Sequence, residues 1–291
     1  MTLGKKLLSV AGLLFLAGSM TLYATEDTKK QEKTAETVAK LKKAGDKDKA
    51  ETGISANDLI KKAYAYIGNL EKYSFEATIV NEDDLGGADM LIYLRHHYKV
   101  SVLGPDKLRM DVRGDTENAN MYFNNGNVSI LDADKKSYAQ VKVSTDIDDA
   151  LDDLMDTYGV PVPLTQFIYS DMDEDINAST KGYYLGTVYI DDNTPCYYIA
   201  FPGKEWDVQF WIEKGDKPLI RKVSYVDKKK KGQPRSMITL HWNLISAIDE
   251  KIFDFKAPEG AIKAKVLTLE EAKKLKKKLA TQTDAQAKDE K

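Results

Sequence analysis

Apolar and polar side chains alternate in short runs over most of this chain, most clearly from residue 206 onward. Trp206, Val208, Phe210 and Ile212 alternate with Asp207, Gln209 and Glu213, the period of a strand with one buried face. A second run, 219–226, follows a loop whose Gly215 and Pro218 stand at hairpin spacing, so the two runs are expected to pair antiparallel. Trp211 interrupts the polar side of the alternation, so that face is expected to be covered too, or to line a cavity. Similar runs stand at 73–80, 88–102, 108–112, 121–123, 128–131, 138–143, 183–190, 196–201 and 236–242, with Asn125-Gly126 as the strongest hairpin signal. Together they predict about eleven strands, and with no helix-length segment between most of them the sheet should be antiparallel and sequentially connected.

Two stretches carry the helical period instead. Leu59, Ile60, Ala63, Tyr64, Ile67 and Leu70 form one stripe after a start at Ser55 and Asp58. An insertion at 144–180 puts Ile147, Ala150, Leu151, Leu154 and Met155 on one helical face, with aspartates on the other, and Gly159 follows as a stop. The Val160-Pro161-Val162-Pro163-Leu164 segment is then an extended, stiff link. Such an insertion is expected to cover the sheet, either as a lid that opens or as a fixed plug that completes the core. Asp171, Asp173 and Asp175 match the start of a calcium loop, but Ile176 and Gly182 occupy the positions where that loop needs Gly and Glu, so a solvated acidic loop is expected.

Composition narrows the picture. Lys5 and Lys6 precede about ten apolar residues, the pattern of a secretory signal peptide expected to end near Ala24, with no cysteine nearby to carry a lipid. Residues 25–53 are a charged leader too poor in apolar side chains to offset their ordering entropy. The chain has one cysteine, Cys196, so no intrachain disulfide or thiolate metal cluster is available, and its place in a strand reads as a small buried hydrophobe. With 43 basic against 46 acidic residues and the basic ones dispersed, nucleic acid is not an expected partner. From Thr268, a capping box with Glu271 opens a basic amphipathic helical tail over 263–291, expected to touch a membrane at most peripherally.

Catalytic constellations are not found. His96 and His97 are neighbours on a strand and should point to opposite faces, and His241 has no acidic residue at strand or helix spacing to orient it. No nucleophile elbow, phosphate loop, dinucleotide fingerprint or zinc-protease motif occurs. No enzyme activity, metal or cofactor is expected.

The string W-D-V-Q-F-W-I at 206–212, G-D-K-P-L-I-R-K at 215–222, W-N at 242–243, F-D-F at 253–255 and A-P-E-G-A at 257–261 resembles the DUF2092 family of predicted periplasmic proteins. That family is similar to the LolA/LolB-like superfamily of lipoprotein localisation factors. The resemblance spans residues 59–261 and is densest in its last third. It implies a curved antiparallel half-barrel over 54–262, closed by inserted helices above an apolar cavity, in a periplasmic protein. It assigns no activity.

Tyr183, Tyr184, Tyr189, Tyr197 and Tyr198 give both faces of two neighbouring strands bulky aromatic surface, more than a single buried face requires. The expected ligand is therefore a hydrophobic small molecule or lipid, held without catalysis. Its expected lining is Trp206, Phe210, Trp211, Tyr198 and Trp242, with Leu151, Leu154 and Met155 on the inner face of the lid. The alternative is an interaction module with a filled interior that docks an envelope protein.

Overall fold

The computed structural model describes residues 53–84, 90–174, 176, 180–190 and 193–276. The expected signal peptide, nearly all of the leader and the end of the tail lie outside these residues. Helix α1 (Ala56–Gly68) is followed by strands β1 (Lys72–Asp84), β2 (Leu91–Leu103), β3 (Lys107–Gly114), β4 (Asn118–Asn124), β5 (Asn127–Asp132) and β6 (Ser137–Lys142). The insertion carries α2 (Ile147–Tyr158) and a 3-10 turn, Thr165–Phe167. Strands β7 (Tyr183–Tyr189), β8 (Pro195–Pro202), β9 (Trp206–Glu213), β10 (Ile220–Asp227) and β11 (Arg235–Asn243) complete the set of eleven. A second 3-10 turn (Glu250–Phe253) and a short β12 (Ile262–Ala264) follow, and residues 269–276 are helical.

All twelve strands form one open, curved sheet in the order β12-β6-β5-β4-β3-β2-β1-β11-β10-β9-β8-β7. Every pairing among β1 to β11 is antiparallel, as the meander spacing predicts. The twelfth strand pairs parallel to β6. Its three residues are all exposed, so it has no buried side and leaves no alternation to read. The order also shows how the chain travels: from β1 it steps outward to β6, crosses to the far edge at β7, and steps back until β11 pairs with β1. The insertion between β6 and β7 therefore spans the sheet from one side to the other.

One face of the sheet, the inner one, supports α1 and the insertion. On β1 the buried residues are Tyr73, Phe75, Ala77 and Ile79, and the register sets Phe75 beside Trp242 and Val100, and Ala77 beside Leu240 and Tyr98. Helix α1 is capped by Ser55, whose hydroxyl accepts from the Asp58 amide, and buries Leu59, Ile60, Ala63, Tyr64 and Ile67. The Tyr64 ring meets Phe210 of β9 edge on, at 6.3 Å between centroids. Helix α2 buries Ile147, Ala150, Leu151 and Leu154 and ends at Gly159, whose left-handed φ of 68° lets the Val160 amide donate to the Leu154 carbonyl.

The outer face is covered by a different device. After β11 the chain returns beneath the sheet, and its 3-10 turn lies against β3 and β4 with Phe253 fully buried. Arg109 donates from Nη1 to the Ile252 carbonyl at 3.1 Å, and Phe255 sits between the rings of Tyr122 and Tyr138 at 5.4 and 5.2 Å. The Phe-Asp-Phe motif is thus a clasp: two aromatic rings turn inward while Asp254 accepts from the Asn124 amide at 2.9 Å. The tail helix opens with the expected capping box, in which the Glu271 amide donates to Thr268 Oγ1 and the Thr268 amide to Glu271 Oε2.

Candidate functional site

The inner face is a continuous apolar surface, and the insertion lies across it. Phe167, the last residue of the 3-10 turn, enters the middle of the sheet and meets Phe75 at 6.2 Å and Trp242 at 6.3 Å, both edge on. Phe75 and Trp242 face each other at 4.9 Å, and the Trp242 indole donates to the Ile220 carbonyl at 2.7 Å, which fixes the ring. Leu164, Phe167 and Met172 have no exposed surface. The interior beneath the insertion is therefore occupied by the insertion's own side chains.

Polar ties join the insertion to the sheet and to α1. The Tyr73 hydroxyl donates to the Phe167 carbonyl at 3.0 Å, the Ile147 amide to the Pro105 carbonyl at 2.9 Å, and the Tyr158 hydroxyl to the Lys142 carbonyl at 3.2 Å. At its far end, Asn57 of α1 brackets the chain by donating to the Thr180 carbonyl and accepting from the Gly182 amide. Gln166 donates to the Tyr225 hydroxyl at a long 3.4 Å. Its Oε1, like the Tyr64 hydroxyl, is buried without a hydrogen-bond partner among the described residues. Burial, and then the neighbouring Tyr225, push the Tyr64 hydroxyl well above the usual tyrosine range. Each unsatisfied buried polar atom costs about 1–3 kcal/mol, which weakens the closed arrangement.

A cleft of about 460 Å³ opens where α1, the β2–β3 turn and the start of α2 meet, within the range of ligand pockets of ~300–1,000 Å³. Tyr73, Val102 and Ile168 form its apolar wall, and Asp146, Asp148 and Ser170 its polar rim. Asp148 accepts from the Ser170 amide and hydroxyl, at 3.0 and 2.6 Å to Oδ2. Burial raises its carboxyl above the usual aspartate range despite these bonds, with Asp171 and Asp146 adding to the effect.

The expected lining residues divide between the two faces. Phe210 belongs to the inner core, and Trp206 and Trp242 pack against it, together with Leu151 and Leu154 of α2. Met155 is half-buried at the edge of that helix. Tyr198 and Trp211 lie on the outer face, opposite Phe210, and cannot line the same cavity. Their rings stack at 4.6 Å, Lys222 Nζ stands 5.1 Å from the centre of the Trp211 ring, and Tyr198 donates to Gln209 at 2.7 Å. The extra tryptophan is thus sheltered by a cross-strand ring and a cation, and not by a helix or a cavity.

The histidines also separate. His96 is buried on the inner face against Gly114, with Nε2 2.8 Å from Thr116 Oγ1, and burial lowers its pKa. His97 lies on the outer face, 3.3 Å from Glu76. The register sets that same Glu76 opposite His241, so an acidic neighbour does exist. It comes from β1, the neighbouring strand but far away in sequence, where sequence spacing cannot show it. Among the described residues no three His, Cys, Asp or Glu side chains converge on a point suited to a metal, and no helix is long and apolar enough to cross a membrane. Cys196 is fully buried, as its strand position predicts.

Several solved structures are similar to this chain at low identity. A LolA superfamily protein from Nitrosomonas europaea is 11% identical, with a TM-score of 0.29 and coverage of 69% of this chain and 98% of the other. A candidate outer membrane lipoprotein-sorting protein domain from Vibrio parahaemolyticus is 8% identical, with a TM-score of 0.30 and coverage of 68% and 95%. An uncharacterised conserved protein from Thermus thermophilus is 9% identical, with a TM-score of 0.41 and coverage of 70% and 98%. No curated protein matches the chain by sequence. The family model for predicted periplasmic proteins, DUF2092, matches residues 56–267, so α1, the whole sheet and the insertion between them belong to that family.

Proposed function

We infer that this is a non-enzymatic periplasmic protein that takes a hydrophobic ligand, a lipid or a lipoprotein acyl chain, between the inner face of the sheet and the insertion. The observation that carries this reading is the way Phe167 fills the centre of the sheet. Its ring occupies an apolar trough floored by Phe75 and Trp242, on a segment that buries Gln166 Oε1 without a hydrogen-bond partner among the described residues. An acyl chain offers the same contacts as Phe167 and Leu164, so it can replace them without leaving apolar surface in water. The cleft beside Tyr73 and Ile168 is the natural entry, because it already reaches the underside of the insertion. Trp206, Phe210, Trp242, Leu151 and Leu154 would contact the chain, and Met155 would border it.

A second reading is favoured by the same filled interior. If the insertion never lifts, the protein is an envelope interaction module and the sheet is a rigid support. Native mass spectrometry of the protein purified from its own envelope, followed by organic extraction, separates the two. A discrete lipid-sized adduct is expected; a bare mass in repeated gentle preparations would overturn the carrier reading and favour the module.

A further inference from the structure

The outer face carries a second concavity, of about 620 Å³, between the β4–β5 hairpin and the returning clasp. Tyr122, Ser129 and Gln140 form its floor, Asn124 and Asn125 one wall, and Phe255 the other. The hairpin is rigid. Asn125 and Gly126 both take positive φ, 43° and 77°, the conformation of a tight two-residue turn, and the Val143 amide donates to the Gly126 carbonyl at 3.1 Å. Phe255 is held between Tyr122 and Tyr138, so the aromatic wall is fixed as well.

The chemistry of this groove is neutral. Only Asp254 and Lys256 among its lining residues are charged, and Asp254 already accepts from Asn124. Arg109, beneath the floor, is committed to Asp111, to the Ile252 carbonyl and to the Tyr122 ring at 4.9 Å. Among the described residues, the Asn125 side-chain amide, the Asn124 and Gln140 side-chain carbonyls and the Tyr122 hydroxyl make no hydrogen bond. They offer donors and acceptors side by side next to an aromatic wall.

We propose that this groove binds a neutral oligosaccharide. Each sugar hydroxyl both donates and accepts, which suits amides and a phenol, while the C–H face of a pyranose ring packs on an aromatic ring. Among the lining residues an anionic ligand would find a single lysine, Lys256, and a cationic one a single carboxylate, Asp254, already engaged by Asn124, while an apolar one would bury these amides without partners, at a cost of about 1–3 kcal/mol each. An extended peptide adding as a strand is disfavoured too, because β4 and β5 are interior strands and β12 covers the outer edge of β6. The sugar is either a free oligosaccharide or the glycan of an envelope polymer.

The test is heteronuclear NMR of the full chain titrated with cellotetraose, maltotetraose and chitotetraose, with retention on purified peptidoglycan sacculi measured in parallel. At least one tetrasaccharide should move the side-chain amide signals of Asn124, Asn125 and Gln140, with a Kd of about 0.1–1 mM. Gln140→Ala and Phe255→Ala should weaken that binding at least about tenfold, a loss of about 1.4 kcal/mol. Asn125→Asp, at an exposed turn where aspartate tolerates the same backbone, controls for misfolding and should weaken it as well. Retention on sacculi in addition assigns a polymer glycan, and its absence a free oligosaccharide. Unmoved amide signals with all three sugars, a shift by an uncharged extended peptide instead, or binding unchanged in Asn125→Asp and Gln140→Ala would overturn the proposal.

Discussion

Gly68, the last residue of α1, and Ser170 of the insertion meet backbone to backbone: a Cβ on Gly68 would overlap the Ser170 carbonyl. Gly68 does not have a positive φ, so its lack of a side chain serves this approach and not an unusual backbone. Gly68→Ala should therefore push the insertion away from α1 at a cost of about 1–3 kcal/mol. The expected outcome is faster amide exchange in 164–174 with α1 itself still protected. Uniform loss of protection would instead mark Gly68 as a residue of the global fold.

Tyr64→Phe removes an unsatisfied buried polar atom while keeping the ring against Phe210. It should raise stability by about 1 kcal/mol, a gain read from the midpoint of urea unfolding. A loss of stability would show that the Tyr64 hydroxyl has a partner in solution.

Phe167→Ala should cost about 3–5 kcal/mol, because the ring is fully buried against two aromatic neighbours. If the trough is a ligand site, the variant should also bind a fluorescent fatty acid more tightly than the unaltered protein, since the competing side chain is gone. Equal or weaker binding would count against the carrier reading.

The Asp148 carboxyl is raised in the folded state, so between its ordinary value near 4 and its raised one the folded protein holds more protons than the unfolded chain. Stability falls as pH rises through that interval, and the contribution is recovered on acidification. The insertion should therefore exchange its amides more slowly as pH drops toward about 4, after correction for intrinsic rates. Asp148→Asn should flatten this dependence. His96 acts with the opposite sign, because its lowered value makes protonation below about 6.5 unfavourable to the fold, so the readout has to be local to 144–170.

Alternation alone placed β1 to β11, because each has a side that meets the core and a side that does not. It could not place β12, which has no buried residue, or the clasp, whose Phe253 and Phe255 look like an isolated aromatic pair until Tyr122 and Tyr138 are set beside them. Strand period also gives two faces without saying which is inner. That is why Tyr198 and Trp211 stood with Phe210 as expected lining although they lie across the sheet from it. The outer groove was hidden for a related reason: Asn124, Asn125 and Gln140 read as turn and surface residues, and only the returning chain makes them a wall and a floor. A clue was available in the unusual Asn-Asn-Gly-Asn run, which is richer in amides than a turn requires.

The pairing of β1 with β11 has a consequence for how the chain reaches its native state. Phe75 and Trp242 are neighbours in space, yet nearly the whole sheet lies between them in sequence. Loop closure over that span is slow, and a growing chain would present β1 with one edge unpaired until β11 has been made. During that interval the alternating run 72–84 is an open template for another chain. Joining these two strands should therefore limit the rate of folding, and nascent protein held before residue 235 should be the species most prone to aggregate.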